Sequence, residues 1–271
     1  SNNIELLEPI GQFGPRIMGG KDSAQPRYIY TKLSSITSLL FNKQDDSLYK
    51  PQFDEGMRIE PNNYVPVLPV VLINGCQGIG TGWSTDVPLY NPFDIIGNIN
   101  NYMNDKEMND MNPYYRGFTG TIAKESKHTY ISKGTYTIKD NKLIITELPI
   151  GLWTDKYKEF LETLCLDGKN KSKKQIIRYY NSYCTDTQIH FELFMDKDTL
   201  VKLNSDTIYK LFKLTSSINT SNMVLYNANN TITKYDNVLD ILRDFCDVRL
   251  ELYEVRKTYM IDELQKEIEN I

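Results

Sequence analysis

The sequence predicts an α+β fold, and three observations carry that expectation. Residues 67–233 alternate short β-branched and aromatic runs with amphipathic segments. Residues 1–66 are mixed and rich in turn formers, with glycine at 11, 14, 19 and 20 and proline at 15 and 26. From about 234 onward, apolar residues recur at heptad spacing.

In the first zone, "IGQFGPRIMGGKDSAQPRY" (10–28) predicts an ordered loop, because its glycines and prolines break any periodic pattern. "KLSSITSLLF" (32–41) has apolar residues at 33, 36, 39 and 40, which predicts a short helix. The second zone follows the apolar run "VPVLPVVLI" (65–73). Asn91 and Pro92 make an N-cap and first-position pair, and Ile95, Ile96, Ile99 and Met103 follow at helical spacing. "GFTGTIAKE", "HTYISKG", "TYTIKD" and "KLIITELP" predict a β-meander turning at Gly134 and near Asn141. "TDKYKEFLETLC" predicts a helix capped by Thr154, and "DTQIHFELF" alternates like a half-buried strand. In the third zone Ile241, Phe245, Val248, Leu252, Val255 and Tyr259 form a coiled-coil seam, with the "RLELYEVRK" charges at solvated spacing. The seam then shifts face to Ile261, Leu264, Ile268 and Ile271. The pattern fits a helix lying on the core or the base of a long arm.

Composition narrows the function classes. The chain has 271 residues, 40% of them hydrophobic, which predicts a soluble globular protein able to bury a substantial core. A net charge of −4 argues against a surface coated in phosphate-binding cations. Residues 9–44 nevertheless carry Arg16, Lys21, Arg27, Lys32 and Lys43 against Asp22 alone, five minus one, a local +4 that suits an anionic partner. Cys76, Cys165, Cys184 and Cys246 are far apart and lie near neither His128 nor His190, so no zinc site or disulfide framework is predicted. Reduced thiols in an intracellular compartment are expected. The longest apolar run is too short to span a bilayer, so no membrane partner is expected. The chain starts without Met and stops inside a helical pattern, so it is expected to be a piece of a longer protein.

Two stretches have the chemistry of a site. In "SAQPRYIYT" (23–31), Pro26 fixes the entry to Arg27 and Tyr28. A phenol ionises near pH 10 and is a weak nucleophile at neutral pH. A neighbouring guanidinium, always charged and shaped to grip phosphate, would stabilise charge during attack on phosphorus. The product would be a phosphotyrosine ester that is still a phosphodiester, so the step would be nearly reversible. A packed, hydrogen-bonded tyrosine is the alternative. The second stretch is "LINGCQGIGTGW" (72–83), with glycine at 78, 80 and 82. It reads as a nucleotide-binding loop, as a tight bend, or as a bend presenting Ile79 as an apolar wedge to a nucleic-acid duplex.

Five collinear segments then carry a resemblance that covers essentially the whole chain: "GQFGPRIMGGKDSAQPRYIYTKLS", "VPVLPVVLINGCQGIGTGWSTDVPLYNPFDII", "KLIITELPIGLWTDKYKE", "KLFKLTSSINTSNMVLYN" and "YDNVLDILRDFCDVRLELY". The chain resembles the eukaryotic-type type IIA DNA topoisomerases (topoisomerase II). The resemblance implies that 1–66 is the end of a winged-helix (CAP-like) domain bearing the DNA-cleaving tyrosine. It implies an α/β tower over 67–233 and the start of a coiled-coil arm over 234–271. Tyr28 matches the family nucleophile, Arg27 its transition-state arginine and Ile79 the residue that intercalates in bent DNA. Gln12, Arg16, Lys21, Thr81 and Trp83, from the same two loops, are expected to contact DNA, and Tyr30 to pack. Pro15 and Gln25 depart from the family pattern, which usually has threonine and serine there, without removing a group with a known catalytic role. The acidic TOPRIM motif and the ATPase loop are missing, so the Mg2+ and ATP sites are expected outside these residues. The fragment alone is therefore expected to be inactive. The implied enzyme is an ATP-dependent, nuclear homodimer acting on double-stranded DNA. The rival readings are a non-catalytic DNA-bending architectural module and a coiled-coil scaffold piece.

Overall fold

The computed structural model describes residues 2–165 and 176–270. The chain runs through α1 (Ser35–Leu40), β1 (Gln52–Asp54), β2 (Met57–Ile59), α2 (Val70–Ile73), β3 (Cys76–Ile79), β4 (Ser84–Val87) and α3 (Pro92–Met103). It continues with β5 (Thr121–Lys124), β6 (Thr129–Lys133), β7 (Thr135–Lys139), β8 (Lys142–Glu147), α4 (Thr154–Cys165), β9 (Tyr179–Ser182) and β10 (Phe191–Phe194). Then come α5 (Lys197–Lys202), α6 (Ser205–Leu211), β11 (Thr215–Asn219), β12 (Met223–Tyr226), β13 (Ile232–Tyr235) and α7 (Val238–Glu269). The mixed α and β content agrees with the predicted class, and the described strand pairings are antiparallel. The chain divides into two compact units that interleave along the sequence.

One unit is built from Pro9–Tyr30 and Asn112–Asn219. It holds a sheet in the order β7-β8-β10-β9 and another in the order β11-β6-β5. The expected meander is therefore two strand pairs on two sheets. The reason is at Gly134, the single residue between β6 and β7. One residue cannot reverse a chain into a hairpin, so the backbone runs straight on into the second sheet. Gly134 donates to the Leu214 carbonyl (2.9 Å), and a side chain there would strike the Glu147 backbone. The turn near Asn141 forms as expected. Asp140 (φ 50°) and Asn141 (φ 61°) both adopt left-handed backbone between paired Lys139 and Lys142, the geometry a two-residue hairpin needs. Helix α4 opens differently from the expectation. The Tyr157 N–H donates to the Trp153 carbonyl (3.0 Å), and Thr154 sits inside the first turn with its hydroxyl buried and unbonded rather than capping. The core gathers Leu143, Ile145, Leu148, Tyr157, Leu161, Phe191, Leu193 and Phe212. The Tyr157 hydroxyl is satisfied by the Phe212 carbonyl (2.8 Å), and burial pushes its pKa upward.

The other unit is built from Asn2–Glu8, Thr31–Met111 and Thr220–Ile271. Its core joins Leu72, Ile73, Val87, Tyr90 and Ile95 to Met223, Leu239, Ile241 and Leu242. The apolar run ends in one helical turn, α2, before the strand. Asn91 caps α3 as expected, its side chain accepting from the Phe93 N–H (3.0 Å). Helix α7 lies on the core over its first turns and is exposed further on. Val238, Leu239, Ile241, Leu242, Cys246 and Arg249 are buried, whereas Val255, Tyr259, Ile261, Leu264 and Ile268 are exposed. Ile271 lies outside the described residues. Arg249 corrects the expectation that its charge is solvated. It is buried, donates to Asp45 (2.8 Å) and the Val65 carbonyl (2.9 Å), and stacks on Tyr253 (4.2 Å). Arg256 also reaches Asp45 (3.1 Å), so one buried carboxylate holds two turns of the helix.

Candidate active site

The eight expected site residues fall into two groups. Gln12, Arg16, Lys21, Arg27 and Tyr28 belong to the first unit, and Ile79, Thr81 and Trp83 to the second.

Within the first unit, 10–28 is the ordered loop that its glycines and prolines predict, closed at its neck. The Ala24 N–H donates to the Gln12 carbonyl (2.9 Å), and the Gln12 side-chain amide donates to the Asp22 carbonyl (3.1 Å). Gln12 therefore ties the loop to itself. The far end is seated on the sheet and on α4. The Arg16 N–H donates to the Asp186 carbonyl (3.2 Å), and the Asp155 N–H donates to the Ile17 carbonyl (3.1 Å). Gly19, with φ +64°, lies so close to the Trp153 indole that a side chain would run into the ring. The Arg16 guanidinium forms an ion pair with Glu147. That carboxylate also accepts from the Thr119 N–H and hydroxyl (both 3.0 Å) and the Leu148 N–H (2.9 Å). Arg16, expected at DNA, thus spends its charge on a buried partner. Lys21 is exposed.

Pro26, Arg27 and Tyr28 form a short 3-10 turn, opened by Gln25 and started by proline because its fixed φ suits the first position. The Tyr28 N–H donates to the Gln25 carbonyl (2.9 Å). Tyr28 is 69% exposed, so the packed alternative does not hold. The Arg27 guanidinium lies 5.5 Å from the centre of the Tyr28 ring. The Gln25 side-chain oxygen accepts from Arg27 Nε (2.9 Å) and Nη2 (2.6 Å). The expectation that Tyr30 packs is corrected, because it is 89% exposed. The chain is extended at Ile29, which turns its side chain toward the Gly11 backbone. Both neighbouring tyrosines are left exposed. An exposed phenol beside a held cation can meet an anionic phosphorus without first leaving a core.

In the second unit, β3 and β4 pair as a hairpin from Cys76↔Val87 to Ile79↔Ser84. Ile79 ends β3 with 94% of its surface exposed. Thr81 is exposed in the loop, where the Gly80 N–H donates to the Trp83 carbonyl (2.9 Å). Trp83 packs edge-on against Tyr226 of β12, with ring centres 6.2 Å apart. The Asp86 N–H donates to the Asn222 carbonyl (2.9 Å), which joins this hairpin to the start of β12. A hairpin running straight into glycines, with no helix N-terminus beyond, is a poor phosphate cradle and a good mount for an apolar tip.

Among the described residues, no three of His, Cys, Asp and Glu gather as a metal-ligating group. These described residues therefore do not fit a Mg2+ site. No described helix is long and apolar enough to cross a membrane.

The profile of the DNA gyrase/topoisomerase IV A-subunit family matches residues 1–271. The chain belongs to that family. It is 46% identical over 268 residues to DNA topoisomerase 2 of Plasmodium falciparum, covering 98% of this chain and 19% of that protein. It is 43% identical to human DNA topoisomerase 2-alpha, again over 98% of this chain and 17% of the relative. A crystal structure of the Plasmodium falciparum topoisomerase II DNA-binding, cleavage and re-ligation domain superposes with a TM-score of 0.93 at 46% identity, covering 98% of this chain and 36% of that one. This member of the gyrase/topoisomerase IV family therefore spans about a fifth of the length of the curated relatives it matches.

Sequence reading missed Glu147, Gln25, Trp153 and Tyr226. For Glu147 a signal was present. Leu143, Ile145 and Glu147 share one face of β8, and the first two are core residues. A carboxylate in an inward-facing register needs a cation, and Arg16 supplies it. Trp153 and Tyr226 act through contacts distant in sequence, and Gln25 through a bond to Arg27 two residues on.

Proposed function

We propose that this chain is part of the DNA breakage-rejoining core of an ATP-dependent type II DNA topoisomerase. Residues 1–66 are the end of its winged-helix domain, 67–233 its tower and 234–271 the start of its coiled-coil arm. Tyr28 is the nucleophile. Its oxygen bonds to a backbone phosphorus as the bond from phosphorus to O3′ breaks. This leaves a 5′-phosphotyrosyl link and a free 3′-hydroxyl that takes up the proton. The ester keeps its phosphodiester character, so the reverse attack by the 3′-hydroxyl reseals the strand. Arg27 stabilises the charge on the phosphoryl oxygens during both steps. Ile79 wedges between base pairs of bent DNA, with Thr81 and Trp83 beside it, and Gln12, Arg16 and Lys21 line the approach to Tyr28. Two copies cut opposite strands of one duplex, and a second duplex passes before resealing. The enzyme is a nuclear homodimer on double-stranded DNA that controls supercoiling and linkage. Mg2+ and ATP bind in parts of the enzyme other than these residues, so this stretch alone cleaves nothing.

The observation that carries the reading is the exposed Tyr28 phenol with the Arg27 guanidinium 5.5 Å from its ring. The likeness to a topoisomerase II cleavage and re-ligation domain adds to it. The test is Tyr28→Phe in the complete enzyme. The substitution removes one oxygen from an exposed ring, so folding and DNA binding should persist while covalent protein–DNA adducts and plasmid relaxation vanish. Relaxation by this variant would sink the assignment and favour a DNA-bending module.

A further inference from the structure

We propose that Gln25 is a positioning residue for Arg27, holding its guanidinium in one orientation before DNA arrives. The proposal rests on the reading of Tyr28 and Arg27 given above. Gln25 lies two residues before Arg27, with Pro26 fixing the turn between them. Its side-chain oxygen accepts from both Nε (2.9 Å) and Nη2 (2.6 Å). Its main-chain carbonyl accepts from the Tyr28 N–H (2.9 Å), so one residue anchors both members of the pair.

The geometry divides the guanidinium into two edges. The side edge, Nε with Nη2, is taken by Gln25. The end edge, Nη1 with the second hydrogen of Nη2, is left for an incoming phosphate. A long, exposed arginine would otherwise sample many rotamers and be ordered only at the moment of reaction, which slows that step. The acceptor is also neutral. A carboxylate in its place would satisfy the same N–H groups but would compete with phosphate for the charge. An amide orients the cation without spending it.

The test uses the complete enzyme and a duplex oligonucleotide, reading the rate of covalent adduct formation in a single turnover and DNA affinity separately. Gln25→Met keeps the length of the side chain and removes the oxygen, and the residue is exposed, so folding is not at stake. Adduct formation should slow roughly fivefold, the scale of one ordinary net hydrogen bond, while DNA affinity stays unchanged. In an Arg27→Lys background the same substitution should have no further effect, because lysine has no paired edge for the oxygen to hold. A purely structural role would slow both backgrounds equally. Parent-rate cleavage by Gln25→Met, or an undiminished loss in the Arg27→Lys background, overturns the positioning role. Adduct formation by Tyr28→Phe, measured alongside, overturns the underlying reading and the proposal with it.

Discussion

The Arg16 guanidinium is bound to the carboxylate of Glu147, which lies at the end of β8 with almost none of its surface exposed. This pair seats the loop that leads to Arg27 and Tyr28 against the sheet of the same unit. Removing Arg16 would leave a buried carboxylate without its cation, although Thr119 and Leu148 still donate to it. Arg16→Ala should therefore cost about 3 kcal/mol, the low end for breaking a buried pair. Urea unfolding of the chain measures this, and a loss indistinguishable from that of an exposed pair would show that the bond carries little. Because Arg16 is already neutralised, the salt dependence of DNA binding should hardly change. Lys21→Ala should instead reduce the slope by about one.

Arg27→Lys keeps the charge and loses the fork. If Arg27 stabilises the transition state, single-turnover cleavage should slow by roughly 10²-fold, as when one preorganised oxyanion donor is removed. A rate close to that of the parent would show that any cation suffices at this position.

Ile79 is too exposed to be a core residue, so truncation cannot open a cavity. Ile79→Ala should leave unfolding within about 0.5 kcal/mol of the parent, as for an ordinary surface change. The same variant in the complete enzyme should bend DNA less and shift its cleavage sites toward flexible steps, because the wedge no longer helps to offset unstacking. Energy transfer between DNA ends reads the bend. Unchanged bending and unchanged site choice would remove the wedge from the mechanism.

The Tyr102 hydroxyl of α3 donates to Asp247 of α7, and that bond pushes its pKa up to about 12 from 10.0. Its folded-state pKa is raised, so its contribution to stability is complete below pH 10.0 and is lost as pH rises toward about 12. Stability of the chain should fall over that window. Tyr102→Phe should be less stable at neutral pH and should decline less steeply above 10.0, where the tyrosine would have ionised. Part of the alkaline decline should survive, since burial also pushes Cys246 up to about 11. Parallel pH curves for parent and variant would contradict this account.

What the sequence determined by itself is local. The Asn91 cap, the Asp140-Asn141 turn, the short helix at Ser35–Leu40 and the glycine-rich loop before Tyr28 each depend on groups a few bonds apart, whose conformational preferences act before any tertiary contact exists. The adjacency of Arg27 and Tyr28 is covalent and was equally legible. Tertiary structure decided the rest. Glu147 meets Arg16 across 131 positions, and Asp45 draws Arg249 into the core across 204. Gly134 likewise donates to Leu214, far along the chain. In each case a residue's partner was set by which distant surfaces closed upon each other. Burial alone then made an unpaired charge or a clashing side chain costly enough to select one arrangement.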